Sequence, residues 1–249
     1  MSLNHAFILD QVRRRAGDNA AVLDFGCGQG EFVALARREG LDAQGCDWYA
    51  GPWAWLFDDV KKNPALRDHI RQIAPDGRLP FADARFDAVT SNMVFEHIAE
   101  FERPVSEIAR VLKPGGLFVA LFPSRELWFE QHVGLPLAHR FPRPGYFSAA
   151  HRLGLGWQRE GLSRDAWVAR GIASMREEVA YRPAREAEAL FDRAFEIEER
   201  AEPDWIRYRV AHSRLKPLAR LAAPRALDPL LRFLCRHLAT MVLVLRKRA

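Results

Sequence analysis

Val22-Leu23-Asp24-Phe25-Gly26-Cys27-Gly28-Gln29-Gly30-Glu31-Phe32 decides the fold of this 249-residue chain. A short apolar run, the pattern of a buried parallel strand, ends in three alternating glycines. A helical pattern then places Phe32, Val33, Leu35 and Ala36 on one side and closes at Gly40. Glycines at a strand–helix junction let the backbone turn sharply and let a ligand come close to the helix N-terminus. The spacing excludes two familiar loops. A dinucleotide fingerprint needs glycine where this chain has Glu31, and no lysine follows to make a phosphate-binding P-loop. Seventeen residues beyond Gly30, Asp47 ends a second strand over 42–47. There a carboxylate can accept hydrogen bonds from two ribose hydroxyls. Alone, Asp47 also reads as a strand-terminal turn residue; with the glycines at this separation, nucleoside binding explains the pair better.

Outward from this centre the strand–helix alternation continues. A leading helix over 4–16 carries Phe7, Ile8 and Val12. A third strand falls just before Leu79, with a weak pattern around 70–74. Phe86 to Asn92 is a fourth strand, a helix covers about 104–112, and Lys113-Pro114-Gly115-Gly116 turns the chain into a fifth strand over 117–122. Five alternations predict an α/β fold: a Rossmann-like, doubly wound, mostly parallel sheet with helices on both faces. Residues 123–160 are rich in Pro, His and aromatics and read as a loop-rich insertion, and 163–192 as helical. Strands at 195–200 and 239–246 follow, the last antiparallel. Between them lie amphipathic pieces broken by Pro217, Pro224 and Pro229, with Asp228 as the expected N-cap of the second. The whole chain, 1–249, is expected to be a single domain: a binding core at 20–123, an insertion and helices at 124–192, and a basic helical insertion at 203–237.

Composition bounds the rest. With 49% hydrophobic and 28% charged residues the chain can bury a sizeable core. The apolar run at 238–245 is far short of the roughly 20 residues of a membrane span. Asp10 and Arg13-Arg14-Arg15 follow too few apolar residues for a secretory signal, so a cytoplasmic location is expected. Cys27, Cys46 and Cys235 lie far apart without a CxxC pair, so neither a disulfide framework nor a metal site is expected. The formal charge of +5 is unevenly spread: residues 203–249 carry eleven Arg and Lys against Asp204 and Asp228, and the other 202 residues sum to −4.

Taken together, the ordered elements resemble the class I S-adenosylmethionine-dependent methyltransferases of the small-molecule type. The resemblance rests on Asp24-Phe25-Gly26-Cys27-Gly28-Gln29-Gly30, Asp47, Leu79-Pro80-Phe81, Phe86-Asp87-Ala88-Val89, Phe95-Glu96-His97 and Arg110-Val111-Leu112-Lys113-Pro114-Gly115-Gly116. It covers about residues 20–123; residues 124–237 match no motif of the family. Leu121-Phe122-Pro123-Ser124-Arg125 and the His- and Pro-rich insertion resemble methyltransferases of bacterial polysaccharide gene clusters.

The resemblance implies S-adenosylmethionine as cofactor and assigns roles. Asp24 orients the glycine turn and, through water, the cofactor's amino group. Gly26, Cys27 and Gly28, with Gly30 closing the turn, contact the methionyl part, and Asp47 holds the ribose. Trp48 either lies against the adenine or fills the core at a strand end. Gly77, Arg78 and Leu79 flank the adenine, although the acidic residue the family often carries four positions before this leucine is here Pro75. Asn92 and Met93 line the floor under the sulfonium.

Transfer by in-line displacement to a small-molecule or glycan acceptor is expected at oxygen, which calls for a base. His97 is the catalytic candidate, the alternative being a structural histidine capping its turn. Ser124, Arg125, His132 and His139 are candidate acceptor contacts; Arg125 suits an acidic group or an ordinary surface ion pair. The basic segment either covers the sheet with its arginines in solvent or docks on anionic membrane at the inner face or on an acidic substrate. Ser91-Asn92-Met93-Val94 lacks the Asn/Asp-Pro-Pro-aromatic signature of base-amino methyltransferases, so nucleic acid is not expected. The competing reading is a non-catalytic nucleoside-binding module of the same fold.

Overall fold

The computed structural model describes residues 2–51 and 54–248. Seven strands form one sheet: β1 (Ala21–Phe25), β2 (Asp42–Asp47), β3 (Ile70–Gln72), β4 (Phe86–Asn92), β5 (Leu112–Phe122), β8 (Phe195–Arg200) and β9 (Met241–Lys247). Their order is β3-β2-β1-β4-β5-β9-β8, parallel throughout except that β9 runs antiparallel to both its neighbours. β6 (Phe129–Glu130) and β7 (Leu135–Pro136) form a separate small hairpin. The helices are α1 (Leu3–Ala16), α2 (Glu31–Arg38), α3 (Trp55–Lys62), α4 (Glu102–Val111), α5 (Pro144–Arg152), α6 (Arg164–Ala173), α7 (Ala184–Phe191), α8 (Glu202–Ala211), α9 (Ala219–Ala222) and α10 (Asp228–Leu238). None of the helices described is long and apolar enough to cross a membrane.

The strands are buried on both faces, so their sequences are apolar runs whose alternate residues serve two different cores. Val22, Val119, Val242 and Val244 join Phe7, Phe32, Val33 and Trp205 on one face. Leu23, Phe118, Leu243 and Leu245 join Phe95, Phe101, Ile108 and Phe191 on the other. The fully parallel centre thus reads clearly in sequence, whereas β3, a three-residue edge strand with only Ile70 buried, has little pattern to read. The sequence reading left 48–69 unassigned, and α3 lies there with Val60 as its buried residue.

Two local expectations need correction. The Lys113–Gly116 turn lies inside β5: Phe86 pairs with Leu112 and Ala88 with Leu117, so the extra residues bulge out at Gly115, which has φ of +68°. Asp228 is not the N-cap of α10. It opens the helix as its first residue, and its carboxylate pairs with Arg207 of α8 instead.

The segment at 124–192 builds a core of its own. Val133, Leu135, Ala138, Phe147, Ala150, Trp167, Val168 and Met175 pack together apart from the sheet. Between α6 and α7 the chain makes a π turn at Ser174–Glu178 before an extended stretch. The basic segment covers the sheet through α8 and α10. Trp205 and Leu231 are buried, and Arg236 bridges Glu202 and Glu188 at 2.6 and 2.7 Å.

Candidate functional site

At the C-terminal ends of β1, β2 and β4 the chain opens into a cleft with two adjoining halves that share Gly26, Gly28 and Leu56. One half, about 400 Å³, is lined by His5, Asp24, Cys27, Gln29, Glu31, Trp55 and Asn92 as well. The other, about 390 Å³, adds Asp47, Trp48, Tyr49, Ala50, Met93, Val94, His97 and Ile98. This is the edge of an open α/β sheet where ligands bind, next to the point at which strand order reverses between β1 and β4.

The glycine turn is shaped by its neighbours. Gly26 has φ of +75°, and a Cβ there would lie 2.3 Å from Val94 Cγ2. Gly28 also has positive φ, but a Cβ there would meet nothing within 4 Å, because it faces the open cleft. The N–H groups of Gly26 and Cys27 donate to the Cys46 carbonyl, at 2.8 and 3.2 Å, and that of Gly30 donates to Cys27 O. With those donors engaged within the protein, the turn at 26–28 offers a ligand a bare Cα edge. Tyr49, absent from the sequence reading, braces the turn by donating from its hydroxyl to the Gly28 carbonyl at 2.7 Å.

Two carboxylates face the cleft in different states. Asp47 Oδ2 accepts from Gly28 N at 2.9 Å and Oδ1 from Trp48 N at 2.7 Å. Burial raises its pKa, opposed by these backbone donors. Asp24 is buried, and burial pushes its pKa up to about 7 although Thr90 Oγ1 donates to it at 2.9 Å. A positive group bound beside Asp24 would relieve that penalty. Asp24 and Asp47, expected from the sequence to face the amino group and the ribose of the cofactor, thus border the two halves of one cleft, with the bare edge of Gly28 between them.

The structure sorts the remaining candidates. Asn92 and Met93 line opposite halves of the cleft. Asn92 is held by Asn4 Nδ2 at 3.1 Å and lies 3.3 Å from His5 Nε2, so α1 closes one wall. Neither Asn4 nor His5 carried a motif that could have marked it. Trp48 lines the half that holds Asp47, with its ring edge-on to Phe25 at 5.7 Å between centroids. Gly77, Arg78 and Leu79 line neither half. Leu79 N donates to Glu107 at 2.8 Å, Arg110 binds the Leu79 carbonyl, and Gly77 packs beside Arg103, so this segment is fastened to α4. The wall they were expected to form is made by Tyr49, Ala50, Val94 and Ile98.

His97 also lines a second cavity of about 580 Å³, together with Gln131, His132, Val133, Trp157, Gln158, Trp167, Arg170, Gly171, Ser174 and Glu178. The Nδ1 atom of His97 lies 2.6 Å from the Glu178 carbonyl. A carbonyl can only accept, so Nδ1 carries the proton and Nε2 keeps its lone pair. Burial lowers the pKa of His97, which keeps the ring neutral near pH 7. His132 sits 5.1 Å away, centroid to centroid, and its Nδ1 lies 2.6 Å from Glu130 Oε1. Tyr181 donates to the same carboxylate at 2.7 Å.

The other acceptor candidates lie elsewhere. Ser124 is fully buried, and its hydroxyl has no partner among the described residues. The Arg125 side chain is exposed while its carbonyl accepts from His139 Nε2 and Arg140 Nη2, at 3.1 and 2.7 Å. His139 thus anchors the insertion instead of facing the cavity. The expectation of Ser124, Arg125 and His139 as acceptor contacts fails because the chain turns them into the joint between β5 and the insertion.

Residues 23–120 match the family described as Methyltransferase domain. A ubiquinone/menaquinone biosynthesis C-methyltransferase of Desulfotalea psychrophila is 32% identical over 143 residues, covering 52% of this chain and 56% of that protein. A demethylmenaquinone methyltransferase of Beutenbergia cavernae is 33% identical over 132 residues, 52% of this chain and 51% of that one. The chain spans about half the length of these curated relatives. In fold it is similar to an S-adenosylmethionine-dependent methyltransferase from Mesorhizobium loti, with a TM-score of 0.58, 17% identity, and coverage of 99% of this chain and 100% of the other.

Proposed function

We propose that the chain transfers a methyl group from S-adenosylmethionine to a small-molecule acceptor, at oxygen; the match of residues 23–120 to the methyltransferase domain family supports the reading. The observation that carries this reading is the position of His97, which lines both the cleft beside the glycine turn and the neighbouring 580 Å³ cavity. An activated methyl needs little further chemistry from the protein: an acceptor held in line, water kept out and one proton accepted. The neutral ring of His97, with Nε2 free, suits it to hydrogen-bond an acceptor hydroxyl and take its proton. His132 lies across the same cavity, and Trp157, Trp167 and Arg170 supply flat apolar and cationic walls.

The two curated relatives above bear names of quinone-pathway methyltransferases, the first of them acting at carbon, which makes a cyclic oxygenated acceptor the first class to try. The exposed Leu215, Leu221, Leu230, Phe233 and Leu238, interspersed in sequence with exposed Arg214, Lys216, Arg220 and Arg225, support a further element of the proposal, contact with an anionic lipid surface or an acidic substrate. A non-catalytic module would have no use for a second cavity bordered by the same histidine as the cleft.

The test is calorimetric titration with S-adenosylhomocysteine on the wild type and on Asp47→Ala, followed by transfer of labelled methyl to hydroxylated aromatic and sugar acceptors. The expected result is binding weakened roughly 100-fold in the variant, from loss of charge-assisted bonds of about 1.5–3 kcal/mol each, and label recovered as a methyl ether. Failure to bind overturns the reading; label on carbon overturns its oxygen assignment.

A further inference from the structure

Glu96 is a buried carboxylate, 1% exposed, in the single turn Phe95–His97 that follows β4. Neither of its oxygens has a hydrogen-bond partner among the described residues. A carboxylate so placed is expensive to bury, and its cost is normally offset by a partner. The groups nearest to hand are two imidazoles: one ligand atom each from Glu96, His97 and His132 lies within 4.8 Å of the other two. Two different elements deliver them: the turn after β4 brings Glu96 and His97, and the loop after β6 brings His132.

The supporting contacts have the form found behind metal ligands. His97 Nδ1 donates to the Glu178 carbonyl and His132 Nδ1 to the Glu130 carboxylate, both at 2.6 Å, and Tyr181 fixes Glu130 in turn. Each of these bonds places a proton on Nδ1 and makes Nε2 the atom that can ligate, in His132 on loss of the second proton that Glu130 favours; metal-bound histidines are oriented by such contacts. Two histidines and one carboxylate form a donor set for divalent first-row metals that leaves coordination positions open. Here His97 and His132 line the 580 Å³ cavity, so the open positions face the space assigned above to the acceptor.

We propose that Glu96, His97 and His132 bind one divalent transition-metal cation at the floor of this cavity, and that its open positions take oxygens of the acceptor. The class of acceptor favoured is one with a hydroxyl, a carbonyl or both on neighbouring atoms. A hydroxyl on such a cation ionises more readily than a free one, so the proton no longer has to pass to His97. The cation site stands on its own side chains and does not depend on methyl transfer. Its test is therefore a binding measurement.

Protein stripped with a chelator is titrated with Co2+, followed by its visible absorption, and with Zn2+ by calorimetry, with S-adenosylhomocysteine binding measured on the same samples. One cation per chain is expected, with Co2+ bands of a nitrogen- and oxygen-ligated ion. His132→Ala should weaken binding at least 100-fold and Glu130→Gln by 10- to 100-fold, while S-adenosylhomocysteine still binds. Absence of saturable binding, or binding unchanged in His132→Ala, overturns the proposal. Because His132 is half-buried on the cavity wall, its variant serves should Glu96→Gln fail to fold. Loss of S-adenosylhomocysteine binding with the metal retained would instead count against the methyltransferase reading alone.

Discussion

The cleft at the glycine turn and the larger cavity proposed for the acceptor both border on His97 and are built in opposite ways. The cleft is made of backbone: a tight turn between β1 and α2, amides on Asp47 and a bare glycine edge. Apart from His5 on α1, its lining lies between Asp24 and Leu56 or at and just after the end of the adjacent strand β4. The cavity is made of side chains from distant loops, held by a small core of their own and by single hydrogen bonds such as those to Glu130 and the Glu178 carbonyl. A site made of strand ends tolerates little change; a site made of inserted loops can be rebuilt for another acceptor while the cleft stays as it is.

The sharpest way to break this contrast is Gly26→Ala. A residue at φ of +75° with its Cβ 2.3 Å from Val94 combines backbone strain with overpacking, and a loss of about 2–5 kcal/mol in denaturant unfolding is expected. S-adenosylhomocysteine binding should fall with it. Retention of both would mean that the turn is far softer than its packing implies.

Phe147→Ala acts on the other region. Phe147 is fully buried in the insertion's core, where its ring sits against Gly171 and Trp167. Truncation should cost about 3–5 kcal/mol. Hydrogen exchange should place that loss in residues 133–179, with S-adenosylhomocysteine affinity changed less than about threefold. A collapse of cofactor binding would show that the two regions do not divide as described.

The pH dependence of cofactor binding probes Asp24. Its pKa is raised to about 7 in the free protein, and an ammonium beside it favours the ionised form, so binding releases a proton below that pH. Affinity should therefore rise with pH from 6 to about 7, by at most about tenfold per unit, and level off above. Asp24→Asn should flatten the profile. A wild-type profile that is already flat would place the ammonium elsewhere.

Arg125→Ala should do least. Its side chain is exposed and its structural role is carried by backbone atoms, so stability should stay within about 0.5 kcal/mol, with methyl transfer nearly unchanged. A tenfold drop in turnover would return Arg125 to the acceptor site.

What could be read in the chain follows the same division. β1, β2 and β4 were legible to the residue, and so were Asp24, Asp47 and the glycines, because buried parallel strands are apolar runs and the ligand-bearing turn sits at their ends in sequence order. His97 and His132 were recognisable as candidates by residue type, but not their pairing, since 35 positions and an unpatterned insertion separate them. Gly77 to Leu79 misled because a family position was matched without the α4 side chains Glu107 and Arg110, which fasten that segment away from the cleft.

By itself the sequence determined the sheet, the turn and the two carboxylates, for these depend on local periodicity, on φ angles that glycine supplies, and on strand ends that the fold always brings together. Only the tertiary structure decided that Glu96 would be buried without a partner beside two imidazoles, that α1 would close the cleft, and that Arg125 would face away. Those outcomes depend on which side chains meet across loops far apart in the chain, and on the burial and hydrogen bonding of each group once they have met.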